Sequence, residues 1–111
     1  MATQKVDTIG RLHKLFVRLH RYQRKGADNL VALLTRYLRA KAEYMASYIN
    51  LVSERSGVSA TGHITTTNAD VMLPIVREVV RIDEGVEPDE RELHKAWEAF
   101  IDDYKHNRIK L

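Results

Sequence analysis

The sequence predicts an all-α fold, and three observations carry that prediction. Apolar residues recur at three- and four-residue intervals along nearly the whole chain, capping and breaking residues stand at the ends of the periodic stretches, and the only β-like run is the threonine-rich segment before Asn68. No internal repeat, low-complexity tract or Pro/Gly-rich linker interrupts the pattern. The 111 residues suffice for one domain with a modest core, a size at which chains often gain burial by association.

A first helix is expected from about Asp7 to Arg24. Ile9, Leu12, Phe16 and Leu19 fall on one side and Arg11, Lys14, Arg18 and Arg21 opposite, so the helix is amphipathic and basic. Gly26 ends it, and Asp28 or Asn29 suits the cap of the next. Good helix formers then continue to about Arg55. A helix of about 27 residues is on the order of 40 Å long, more than a compact chain of this size needs.

This long helix carries two apolar stripes. Leu30, Leu34, Leu38, Met45, Ile49 and Val52 form one, and Leu33, Tyr37, Tyr44, Tyr48 and Leu51 form another, displaced by about 100°. Both sides need cover, at roughly 25 cal/mol per Å² of apolar surface. The short helices of the same chain can cover one. The remainder predicts a second subunit, with Leu34, Tyr37, Leu38, Met45, Tyr48, Ile49 and Val52 at the interface.

Ser56 to Thr67 reads as a polar loop broken by Gly57 and Gly62, its threonines favouring a short extended segment. Thr67 with Asp70 resembles a capping box opening a third helix, which carries Val71, Leu73, Val76 and Val79. Pro74 inside that helix predicts a kink or a later start. Gly85 closes the element. Pro88, Asp89 and Glu90 then open a fourth helix, from Asp89 to His106, with Leu93, Trp97, Phe100, Ile101 and Tyr104 on its apolar face.

The net charge of +3 conceals an uneven layout. Residues 1–25 hold seven Lys or Arg against one acid, Asp7, whereas residues 78–103 hold ten carboxylates and three basic residues. A polyanion would meet the N-terminal half. The absence of cysteine excludes a disulfide or thiolate-zinc framework and suits a reducing compartment. No apolar run approaches the roughly 20 residues of a membrane span and no signal-peptide core is visible, so a soluble protein with no membrane partner is expected.

Gly10-Arg11-Leu12-His13-Lys14-Leu15-Phe16 resembles the first-helix motif of core histone two-A. Arg24-Lys25-Gly26-Ala27 resembles that family's first-loop Arg-x-Gly-Ala at the same spacing. Tyr37-Leu38 with Ala40 matches the middle of its long helix once two residues are deleted, and Ile64 to Val71 is similar to the second loop and third-helix entry. The resemblance covers about Ile9 to Arg81. It implies a histone fold over residues 1–84, of a short, a long central and a short helix, with an extension helix in residues 85–111. It also implies a handshake heterodimer with a two-B-type chain, further histone dimers as neighbours, and double-stranded DNA as ligand. The location implied is a nucleus or chromosome, or a virion or viral factory if the divergence is viral.

Phosphate contacts are expected from Arg11, Lys14, Arg18 and Arg21, minor-groove insertion from Arg24 with Lys25 beside it, and second-loop contacts from His63, Thr65 and Thr66. There are departures from the family. The second loop is longer around Ser56 to Gly62, Lys-rich tails are missing, and the positions aligned with the family's acidic docking patch hold Arg36, Lys41 and Tyr44. Asp83 and Glu84 would keep a fragment of that patch.

Catalysis is not expected. Glu90, His94 and Glu98 stand at four-residue spacing, but no recognisable ligand set supports a metal, and there is no phosphate-cradling loop, Cys nucleophile or triad context. No cofactor is implied. Two other functions fit the residues: a histone-fold subunit of a transcription or replication complex, and an unrelated helical protein-interaction adaptor.

Overall fold

In the computed structural model, residues 8–43 and 45–111 are described; the expected helix start at Asp7 and Tyr44 of the second stripe lie outside the described residues. Five helices follow one another: α1 (Thr8–Arg24), α2 (Leu30–Lys41), α3 (Ala46–Ser56), α4 (Ala69–Glu84) and α5 (Glu90–Lys105). No strand occurs among the described residues.

The ends of α1, α2 and α5 follow local chemistry. Gly26 takes a φ of 108° that other residues avoid, and the Ala27 amide closes back on the Tyr22 carbonyl at 3.0 Å. Asn29, rather than Asp28, caps α2, its Oδ1 accepting from the Ala32 amide at 2.8 Å. Asp89 Oδ1 accepts from the Arg91 and Glu92 amides at 2.9 and 3.2 Å, opening α5.

The expected single long helix is two helices. Ala42 lies in the left-handed region at φ 56°, ψ 37°, and the amides of Ala42 and Glu43 turn back to the carbonyls of Arg39 and Leu38 at 3.2 and 3.0 Å. Such a closure normally uses glycine, and an L-residue there costs roughly 1–2 kcal/mol. The offsetting contacts are tertiary. In a straight helix Tyr37 and Tyr48 would stand about 16 Å apart along the axis, yet both reach Asp83 at the end of α4, at 2.6 and 2.7 Å.

This turn back covers the two stripes within the chain. Leu34, Tyr37, Leu38, Tyr48, Ile49 and Val52 are buried and Met45 packs against the same core. The side chains assigned to a dimer interface are therefore core residues here, and the need for an outside partner to cover them falls away. Among the described residues the large hydrophobics left exposed are Val31, Val86, Tyr104 and Leu111, and none comes from the two stripes. The radius of gyration of 13.7 Å is near the roughly 13 Å of a compact chain of about 100 residues.

Two further expectations are corrected. Asn68, not Thr67, caps α4, accepting from the Asp70 amide at 3.0 Å. Pro74 neither delays nor ends α4, which is assigned continuously from Ala69 to Glu84. The carbonyl Pro74 leaves without its usual donor is that of Asp70, in the exposed first turn, where the loss is cheap. The extension helix, α5, packs on its own chain: Leu93, Ala96 and Phe100 share one core with Leu12, Phe16 and Leu19 of α1. Phe16 meets Trp97 edge-on at 5.2 Å and Phe100 at 5.9 Å between ring centroids.

The loops on either side of the α2–α3 pair are joined. The Ile64 amide donates to the Asp28 carbonyl at 2.6 Å and the Val31 amide to the Ala60 carbonyl at 3.1 Å. The threonine segment thus makes backbone contacts with the first loop without becoming a strand.

Candidate nucleic-acid interface

Helical spacing sets Arg11, Lys14, Arg18 and Arg21 along one side of α1, with Lys25 one turn further and Arg24 at its border. Their surroundings differ. Arg11 is tied to Glu84 of α4 in an ion pair, so it is diverted from an outside anion. Lys14 and Arg18 rim a groove of about 450 Å³ between α1, α2 and α4, floored by Leu15, Tyr37 and Val80. Arg21 donates through Nε to the Lys110 carbonyl at 2.7 Å. Among the described residues, no carboxylate pairs with Lys14, Arg18, Arg21, Arg24 or Lys25, while three arginines of the C-terminal half are engaged: Arg77 with Glu90, Arg81 with Glu78 and Glu87, Arg108 with Asp102 and Asp103.

Asp83 organises the groove's inner end. Its carboxylate accepts from the Tyr37 and Tyr48 hydroxyls and from Lys41 Nζ, the last at 2.6 Å. Burial pushes this carboxyl up, but Lys41, Tyr37 and Tyr48 together outweigh it and hold it below the ordinary carboxylate range. Burial first, and the bond to Asp83 second, raise both tyrosine hydroxyls above their usual range. With Glu84 on Arg11 and Asp83 on Lys41, these acids are neutralised by their neighbours instead of forming a docking patch.

The joined loops bring the remaining predicted residues to one end. Lys25 is exposed and its carbonyl accepts from Arg36 Nη2 at 3.5 Å. His63 is exposed, 3.4 Å from Asp28, and Thr65 is exposed beside it. Thr66 departs from expectation: it is buried, its hydroxyl 2.8 Å from Nδ1 of His20, so it serves the interior and not a phosphate. Burial first, and the Arg24 charge second, hold the His20 imidazole below its ordinary range.

Sequence reasoning passed over His20 and the Tyr37–Tyr48–Asp83 convergence, and named Arg36 only as a departure from the acidic patch. Nothing local signals the convergence, because its members come from three helices. Glu90 does not face His94: its carboxylate grips Arg77 at 2.7 and 2.9 Å, and His94 Nδ1 lies 2.7 Å from the Glu90 carbonyl. No group of three His, Cys, Asp or Glu placed to hold a metal occurs among the described residues. No described helix is long and apolar enough to cross a membrane. Comparison of the chain with family models, with curated proteins and with solved structures gives no match.

Proposed function

We propose that this chain binds duplex DNA through its phosphates without reading bases, as the two-A-like subunit of a histone-type packaging particle in a nucleus or a virus. The observation that carries the reading is the row Lys14, Arg18, Arg21, Arg24 and Lys25, which has no carboxylate partner among the described residues and ends beside the joined loops. From Lys14 to Lys25 the row is about 16 Å long, roughly five phosphate steps of a strand. Cations so spaced release counterions without reading sequence.

A histone-type handshake is compatible with the observed turn at Ala42 if α2 and α3 straighten into one helix. The two loops would then sit about 40 Å apart. The Asp28–Ile64 and Val31–Ala60 bonds, and the cover over Leu34, Leu38, Ile49 and Val52, would have to come from a second chain, for which a two-B-type histone is proposed. The left-handed Ala42 favours straightening and the Asp83 bonds oppose it, so contacts with the second chain would have to outweigh those bonds.

Fluorescence anisotropy on random duplexes tests the DNA reading. The five cations predict a log–log salt slope of about −4.5 and equal affinity for unrelated sequences. Salt-insensitive binding, or a sequence-specific footprint, overturns it, the footprint in favour of a transcription or replication subunit. Light scattering after mixing with a two-B-type histone is expected to give a one-to-one pair. A second reading, a monomeric helical adaptor, is favoured by the self-covered stripes. It takes over if the chain stays a monomer and ignores DNA.

A further inference from the structure

We propose that the cavity where α1, α5 and the C-terminal segment meet binds a phosphate monoester. It holds about 410 Å³ and is walled by His20 and Arg24 of α1, Tyr104 and Lys105 of α5, and Asn107, Ile109 and Leu111 beyond it. That is room for a phosphate together with part of the organic group it esterifies.

The cavity exists because the chain reverses after α5. Asn107 takes a positive φ of 54°, the Arg108 amide closes on the Asp103 carbonyl at 2.8 Å, and Ile109 packs against the core. The Arg21 bond to the Lys110 carbonyl then straps the returning segment across α1.

Its walls are rich in donors. Arg24 and Lys105 bring two positive charges, and the Tyr104 hydroxyl and Asn107 amide add neutral donors. No carboxylate side chain lines it. The two acids of the adjoining turn are occupied elsewhere, Asp102 by Arg108 and His106, Asp103 by Arg108 and by His13 at 2.8 Å. The charged side chains that line the cavity are therefore all positive.

His20 gives the site a titratable member. The residue is only 4% exposed. Thr66 donates its own hydroxyl to Gln23 Oε1 at 3.5 Å, so it accepts from His20 Nδ1–H at 2.8 Å. In that arrangement the neutral ring carries its proton on Nδ1, and no hydrogen bond to Nε2 occurs among the described residues, His20 being one of those that line the cavity. Nε2 can accept from a protonated phosphate oxygen or, once protonated, donate to the dianion. Two fixed cations and one imidazole suit a group that alternates between one and two negative charges near neutral pH, which a carboxylate does not do.

The site shares Arg24 with the duplex-binding row and adds His20, Lys105 and Asn107, which the row does not include, so variants at Lys105 and Asn107 test it separately. The test is a ¹H–¹⁵N titration of the full chain with inorganic phosphate, then with a nucleoside 5′-monophosphate. Shifts are expected at Lys105, His106, Asn107, Lys110 and the His20 ring, weakened about five- to tenfold in Lys105→Gln and in Asn107→Ala. Duplexes with and without a 5′-phosphate separate the sources. Tighter binding of the phosphorylated end assigns a nucleic-acid terminus, and equal binding with a retained nucleotide response assigns a free nucleotide. Absence of shifts at 10 mM phosphate, shifts confined to Lys14 and Arg18, or an unchanged response in both variants overturns the proposal.

Discussion

Tyr48 donates its hydroxyl to Oδ1 of Asp83 at 2.7 Å, and Tyr37 donates to Oδ2 of the same carboxylate at 2.6 Å. One acid thus holds two helices that a left-handed residue separates. Hydrogen bonds to a charged group contribute about 1.5–3 kcal/mol each. Tyr48→Phe is expected to lower stability by about 2 kcal/mol in denaturant titration and to raise the fraction that pairs with a histone-type chain. An unchanged midpoint removes Asp83 as the lock.

Ala42 tunes the same balance from the other side. Glycine tolerates its backbone conformation, so Ala42→Gly is expected to stabilise the closed form by up to about 1 kcal/mol. Ala42→Val, β-branched in the left-handed region, should destabilise it by more than that. Thermal melts followed by circular dichroism separate the two. Equal melting temperatures would show that the turn is not strained.

Acid should weaken the fold in two stages. His20 is held below its ordinary range by burial and by Arg24, so its contribution is complete above the unfolded value of about 6.5 and declines as pH falls from there. Asp83 is also depressed; its contribution is complete above about 4 and lost as pH drops through the folded value. Melting temperature plotted against pH is expected to fall first as pH drops below about 6.5 and again below about 4. His20→Gln should flatten the first stage alone.

The row on α1 can be dissected by salt. The double change Lys14→Gln with Arg18→Gln is expected to reduce the salt slope of duplex binding by about 1.8, uniformly across sequences. Arg11→Gln should change it less, because Arg11 is already engaged by Glu84. Equal effects of the two would show that the ion pair opens on binding.

Phe100 tests whether α5 belongs to the core. It is fully buried against Phe16 and Trp97, and Phe100→Ala is expected to cost about 3–5 kcal/mol. A loss well below that range would show that α5 contributes little to the shared core.

Much of the helical layout was legible because its signals are local. Gly26, Asn29, Asp89 and Gly85 mark ends by backbone freedom or by a side chain reaching the first turn, and the basic row on α1 follows from spacing alone. The break at Ala42 was not legible. Arg39 to Glu43 is composed of good helix formers, and what favours the turn is a carboxylate some forty positions later. The same holds at the proposed interface, where Thr66 read as a loop hydroxyl facing outward until His20, from another element, claimed it. Arg11 likewise looked equivalent to Lys14 and Arg18 until Glu84 was placed beside it.

The stitch between Asp28 and Ile64 makes the intervening chain an excursion closed at its base. Once its two ends are pinned, the entropy of such a loop grows only with the logarithm of its length, by about 0.6 kcal/mol for a doubling. The tip beyond Lys41 is consequently where this small protein can be lengthened with least disturbance, since an insertion there leaves both the pinned base and the α1–α5 contact in register.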